Sequence, residues 1–306
     1  MLRRRLKLPK GATIGAAAVA PAAVYVAMPK GRLRDAAVCA TQMWAYLAAY
    51  EMPNDDTEAL RERARVDYPI AIDRVLGFGK LPTQRLQETF SGPDGTKPVE
   101  RVLVWCHWLW FAVPHAAVAY TAVRRPEKFP SAAARMYAVF DLGAAVYWSV
   151  PTAPPWWAAA HGRVEPLDPR VEIGEFGRRE DHSGAPVPVR RIMLEYGEQF
   201  WGRRWNSLYD ALGGNPLAAM PSLHFASSLM AARLLSEVGP VSGAIGWTYA
   251  GTLGFALVYL GEHYAADVIA GAALAETVNR SAKPLTPVAR LLTRSLRGMR
   301  ALADGE

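Results

Sequence analysis

The sequence predicts an all-α integral membrane protein, a six-transmembrane-helix bundle with long outer loops. Three observations carry that prediction. Charge is segregated: six apolar stretches contain only Arg135, Asp141, Arg233, Asp267 and Glu276, while the remaining residues hold the other 58 charged side chains. A water-soluble helix would interleave charge along its length and keep a polar face. Two of the stretches, Val102–Val123 and Val238–Leu260, have no Asp, Glu, Lys or Arg over 22 and 23 residues, and about 20 apolar residues suffice to cross a bilayer. Finally, Lys and Arg exceed Asp and Glu in alternate connections: eight to one in residues 1–35, three to one in 124–131 and six to two in 279–306. That bias marks the cytosolic side. The net charge of +7 therefore reads as an orientation signal rather than as the footprint of a nucleic-acid partner. A content of 51% hydrophobic and 21% charged residues excludes a disordered or fibrous chain.

Taken in order, residues 1–35 form a basic cytosolic arm. Within it Gly11–Ala27 is apolar, has eight Ala and follows five basic residues. It reads as an interfacial or weakly ordered segment; a signal peptide or an extra span would invert every later helix. Residues 36–278 are the catalytic membrane domain. Its helices are Ala36–Tyr50, Val102–Val123, Ala132–Val150, Leu217–Leu235, Val238–Leu260 and Tyr264–Val278, and its long outer loops are 51–101 and 151–216. Two parts of those loops, 67–90 and the aromatic run 195–205, read as interfacial segments, because Trp and other aromatics favour that depth. Residues 279–306 are a basic cytosolic tail, so both termini are expected inside a multi-pass cell-membrane protein. Cys39 and Cys106 fall in separate predicted helices, and neither a disulfide framework nor a metal spacing follows.

The chemistry gathers at helix ends that this topology places outside. The third helix runs outward into Pro151-Thr152-Ala153-Pro154-Pro155-Trp156. The fourth runs inward from Met220-Pro221-Ser222-Leu223-His224, and the sixth runs inward from Gly261-Glu262-His263-Tyr264-Ala265-Ala266-Asp267. His263 and Asp267, four residues apart, share a helix face. A carboxylate there fixes the imidazole tautomer and leaves the second nitrogen as a nucleophile or base. Asp267 is also an ionisable group inside a membrane segment, which marks a functional position. His224 stands one turn into a helix opened by Pro221, where unpaired N–H groups suit an anion. His107 and His115 lie in an apolar helix without an acidic partner and read as packing residues; His161 and His182 lie in a loop.

The pair Pro221-Ser222-Leu223-His224 and His263-Tyr264-Ala265-Ala266-Asp267 resembles the second and third motifs of the type 2 phosphatidic acid phosphatase superfamily. The Pro151–Trp156 run, Gly214-Asn215-Pro216 and the Leu at 223 resemble the branch containing inositol phosphorylceramide synthase and sphingomyelin synthase. The resemblance implies a six-helix bundle in which His263 attacks phosphorus to form a phosphohistidine and Asp267 orients it. His224 would protonate the leaving oxygen and then deprotonate the incoming water or alcohol, with no metal or other cofactor. Many members carry an Arg six residues before the third-motif His and cations in the first motif. Here those places hold Leu257 and a Pro-rich run, yet a transferring phosphate needs positive charge. Arg163, Arg190, Arg191, Arg203 and Arg204 of the second outer loop are the candidates, and Ser222, Asn215 and Tyr264 complete the candidate substrate-binding set.

The expected activity is transfer of a phosphoinositol-like headgroup, or of a phosphoryl group, from a phospholipid or other lipid-linked phosphate to an alcohol acceptor at the outer face. Hydrolysis to water, as in a lipid phosphate phosphatase, is the alternative. A catalytically dead lipid-binding scaffold on the same bundle is the reading from another class, and a transporter is a third.

Overall fold

The computed structural model of the chain describes residues 9–91, 96–164, 188–202, 204–205 and 214–304. Among the described residues the regular elements are helices, with no β-strand. Two isolated bridges, Arg65 with Thr152 and Thr152 with Ala218, join the connections between them. The principal helices are α1 (Lys10–Ala27), α2 (Arg32–Glu51), α3 (Thr57–Glu62), α4 (Asp67–Leu76), α5 (Pro82–Phe90), α6 (Pro98–Trp108), α7 (Val113–Arg124), α8 (Phe129–Ser149), α9 (Pro155–Ala160), α10 (Ile192–Trp201), α11 (Leu223–Val238), α12 (Pro240–Tyr259), α13 (Ala265–Ser281) and α14 (Thr286–Asp304).

Each of the six apolar stretches meets a helix of the bundle, with three differences. The stretch Val102–Val123 is a broken helix: α6 and α7 are bent by 55° across the 3-10 turn Leu109–Phe111. Pro114 causes this physically, because it has no N–H to donate to the carbonyl of residue 110 and its ring crowds that carbonyl. The fourth helix starts at Leu223 rather than 217, held off by Pro216 and Pro221 and capped by Ser222, whose Oγ accepts from Phe225 N. Gly11–Ala27, expected as an interfacial arm, is the continuous 18-residue helix α1, packed back along α2 across a four-residue connection. Among the described residues two helices are long and apolar enough to cross a membrane, α1 and α12, and the bent α6–α7 pair makes a third span if taken as one.

α11 is the hub of the bundle and packs on α7, α8, α12 and α13. Tyr46, Met136, Val139, Phe140, Met230 and Leu234 fill the space around it. At Gly271 the backbones of α11 and α13 nearly touch: an added Cβ would stand 2.5 Å from the Ser222 carbonyl oxygen. Small residues permit such close helix packing where lipid supplies no hydrophobic driving force. At the far end of the bundle Arg135 of α8 donates to Glu237 (2.6 Å) and to Asn279 (2.9 Å), tying α8, α11 and α13 together. The near end, where α2, α8 and α12 finish and α11 and α13 begin, carries the motif residues.

Candidate active site

The second motif is seated from below and from the side. The Pro151–Trp156 run is stitched to residues 65 and 217–219: Arg65 N donates to Pro151 O (2.8 Å), Thr152 N to Leu217 O (2.8 Å) and Ala219 N to Thr152 O (3.1 Å). Tyr147 donates to Pro221 O (2.7 Å) and accepts from Leu223 N (3.3 Å). The run from residue 217 to the start of α11 is thereby fixed, and with it the direction in which His224 leaves the helix.

The third motif begins at a sharp exit from α12. Gly261 has φ +82° and a Cβ there would lie 2.4 Å from Arg190 O, so only glycine fits without strain. Glu262 N and His263 N both donate to Leu257 O (3.1 and 3.0 Å). Buried Gln87 binds Arg190 N, Arg190 O and Tyr259 O, each at 2.8 Å, and so clamps the 190 loop against this exit. Asp267, fully buried, uses one oxygen twice: Oδ2 accepts from Tyr264 N (2.9 Å) and faces His263 Nδ1 at 3.2 Å. Ser222 N donates to Asp267 O (2.9 Å), which locks the two motifs to each other.

These contacts bring His224 Nδ1 to 3.1 Å from His263 Nε2. With Asp267 ionised and His263 neutral, one proton arrangement satisfies every contact. His263 carries its hydrogen on Nδ1 and gives it to Asp267, so its Nε2 is a lone pair. His224 then carries a hydrogen on Nδ1 and points it at that lone pair. A nucleophilic nitrogen and an acid N–H thus face one another, and a phosphorus atom entering between them meets both.

The other candidates separate clearly. Arg191 makes a two-pronged contact with Glu262 of the third motif (2.9 and 3.3 Å), and its guanidinium lies 3.8 Å from the centroid of the Trp156 ring of the first motif. Arg190 is buried against Glu195, and burial pushes the Glu195 carboxyl up from its ordinary value. Arg163 pairs with Asp67 at an exposed position, and Arg204 is exposed. Arg203 lies outside the described residues, as does His182. Ser222 is fully buried and serves as the helix cap. Asn215 accepts from Leu217 N (3.0 Å) and shapes a turn. Tyr264 is buried in the motif with no partner for its hydroxyl among the described residues.

Four residues that the sequence reading set aside or never raised also belong here. Glu262 stands in the third motif and pairs with Arg191. His107, read as a packing residue, is buried with its ring 4.9 Å from that of His224, and Trp110 is at 4.1 Å. Asp73 of α4 is completely buried and accepts from Ala265 N and Ala266 N (2.9 and 2.8 Å), covering the N-terminus of α13. Burial pushes its carboxyl up to about 6, against the pull of those two N–H groups and with the Asp267 charge adding to the rise. The motif spacing assigns no role to these: Glu262 adjoins His263 but shows its part only once Arg191 packs on it, and the other three arrive from elements distant in sequence.

A histidine pair beside a buried carboxylate at one end of an apolar helical bundle suits a membrane enzyme that handles a lipid phosphate. The family described as the PAP2 superfamily matches residues 73–278, more than half of the chain, and the chain belongs to that superfamily. It is also similar to the inositol phosphorylceramide synthase of Candida albicans (strain SC5314 / ATCC MYA-2876), at 29% identity over 137 residues, 45% of this chain and 26% of that protein. The chain thus covers about a quarter of that relative's length. No solved structure matches.

Proposed function

We propose that the protein moves a phospho-headgroup, phosphoinositol-like, or a phosphoryl group from a lipid to an alcohol acceptor through a phosphohistidine on His263. The observation that carries the reading is the facing pair His263 Nε2 and His224 Nδ1 at 3.1 Å, with His263 Nδ1 turned to Asp267. In the first step, with His224 carrying a hydrogen on both ring nitrogens, the His263 Nε2 lone pair attacks phosphorus, the bond from phosphorus to the leaving oxygen breaks, and that oxygen takes the Nδ1 proton of His224, leaving that ring neutral. In the second, the acceptor hydroxyl gives its proton to His224 Nδ1, its oxygen attacks phosphorus, and the nitrogen–phosphorus bond breaks. Both histidines return to their starting protonation. Asp267 balances the positive charge that His263 acquires on attack.

Positive charge for the phosphate oxygens is assigned to Arg191. It touches the first motif through Trp156 and the third through Glu262, and it occupies the role left open by Leu257. Asp73 already occupies the positive end of α13, so the N-terminal turn of α11 is the helix end that faces substrate. The charge bias of the connections supports a site on the outer side, with the carboxyl-terminal tail inside and six spans from residue 36 to 278. The amino-terminal arm lies inside with α1 at the interface, since a crossing α1 would invert every later helix.

The test is purified protein with phosphatidylinositol or phosphatidic acid, with and without an added alcohol. Headgroup appearing on the alcohol supports transfer; free phosphate from phosphatidic acid means hydrolysis. Equal turnover by wild type and a folded His263→Ala variant would remove His263 from the chemistry, and no turnover by wild type would leave the bundle as a non-catalytic lipid binder. Orientation is read from single cysteines near Gly261, which should label from outside intact cells; labelling only after permeabilisation would reverse it.

A further inference from the structure

The bend between α6 and α7 is more than an interrupted span. A straight helix over Pro98–Arg124 would pass the site with one face. Instead Pro114 opens the helix at Trp110, and the 3-10 turn Leu109–Phe111 swings the chain by 55°. The two rings that flank this opening, His107 and Trp110, both pack on the imidazole of His224, with centroids 4.9 and 4.1 Å away. Trp110 is held there by a specific bond: its Nε1 donates to Ser227 Oγ (2.7 Å), and Ser227 donates to Leu223 O (2.7 Å). Ser227 lies on α11 one turn beyond His224, so Trp110 is tethered to the helix that carries the imidazole it touches. His107 is buried and stands within electrostatic reach of Glu262, His263 and Arg191. The bend therefore enters the site from an element that neither motif includes.

We infer that His107 and Trp110 are positioning residues that brace the ring of His224, so that its Nδ1 keeps its aim at the reacting oxygen once substrate separates it from His263. This rests on the acid–base role proposed for His224. In the resting site His263 Nε2 itself holds His224 through the 3.1 Å contact. Entry of a phosphorus atom removes that restraint at the moment the ring must deliver its proton. An imidazole turned about its Cβ–Cγ bond would present carbon instead of Nδ1. Two aromatic neighbours, one of them anchored to the same helix, restrict that rotation. The face of Trp110 also suits the imidazolium that forms when His224 takes the acceptor's proton.

A brace on a general acid has a signature that ordinary packing lacks. Loss of aim matters where the leaving oxygen needs a proton and matters little where it leaves as a stable anion. The probes are phosphatidic acid, which releases an alcohol, and 4-nitrophenyl phosphate, which releases a stabilised phenolate. The variants are His107→Leu and Trp110→Leu, with His107→Phe and Trp110→Phe keeping a ring at each place, and melting temperatures confirm folding. In kcat/KM, which reads only the steps up to loss of the leaving group, the Leu variants should lose roughly 10- to 100-fold on phosphatidic acid and less than about threefold on 4-nitrophenyl phosphate. The Phe variants should recover most of the loss. Equal losses on both probes, or Phe variants as impaired as Leu variants, would overturn the inference. If wild type turns over neither probe and moves no headgroup from phosphatidylinositol, the failure belongs to the catalytic reading of His224 and not to the brace.

Discussion

Replacing Asp267 by Asn separates two things a carboxylate does for a histidine, because here a single oxygen makes both contacts. Oδ2 accepts from Tyr264 N at 2.9 Å and from His263 Nδ1 at 3.2 Å, while Oδ1 is buried without a partner among the described residues. An Asn whose amide oxygen takes the Oδ2 place keeps both contacts and keeps the hydrogen of His263 on Nδ1. What it loses is the negative charge opposite the imidazolium that forms on attack. A hydrogen bond to a charged group contributes about 1.5–3 kcal/mol, so Asp267→Asn should slow turnover roughly 10- to 150-fold. Asp267→Leu also abandons the tautomer and leaves Tyr264 N–H unpaired, and should cost on the order of a thousandfold or more. The assay is single-turnover transfer from a labelled phospholipid, normalised to the folded fraction. Asn and Leu variants equally impaired, or an Asn variant within about twofold of wild type, would refute the one-oxygen argument.

Three further outcomes follow from the geometry. The double variant Arg191→Gln/Glu262→Gln removes the cation without stranding the buried Glu262, and should reduce turnover about 100-fold at unchanged melting temperature; unchanged turnover would move the phosphate cation elsewhere. Asp73 binds a proton more tightly in the folded protein, its carboxyl rising from 3.8 to about 6. Its contribution to stability is therefore greatest below the unfolded value and falls by about 3 kcal/mol as pH rises through this window. The melting difference between wild type and Asp73→Asn should decline from pH 4 to 6 and be flat above; a flat difference throughout would contradict it. Gly261→Ala places a Cβ 2.4 Å from Arg190 O at φ +82°, and should destabilise the protein by about 1–3 kcal/mol in thermal unfolding.

Much of the bundle was legible in the sequence because its long helices carry few charges and stand out from the charged connections. That contrast placed Val238–Leu260 against Pro240–Tyr259 and Ala132–Val150 against Phe129–Ser149. It read α1 least well, because a run of Ala is only weakly apolar and packing on α2 decides its state. His263 and Asp267 do meet, but not by sharing a helix face: α13 begins at Ala265, and His263 stands in the turn before it, brought round to Asp267 by the exit at Gly261. Arg191 could be named only as one of five, because charge in a loop has no period. Asp73 and His107 were invisible as site residues for a related reason. Asp73 is one acid among many in an outer loop until α4 docks on α13. His107 looked like packing because its partner, His224, is 117 positions away. The available signal was Pro114, a helix breaker inside an otherwise continuous apolar run three residues beyond the turn that carries Trp110.

The central claim is that phosphorus passes through His263, and trapping the intermediate tests it most directly. Protein mixed briefly with a phospholipid labelled at phosphorus, quenched in base and digested, should yield label on the peptide containing His263, lost on acid treatment as a nitrogen–phosphorus bond requires. The label should be absent from His263→Ala and should discharge when the alcohol acceptor is added. Label on a different residue, or full headgroup transfer by a folded His263→Ala variant, would contradict the account.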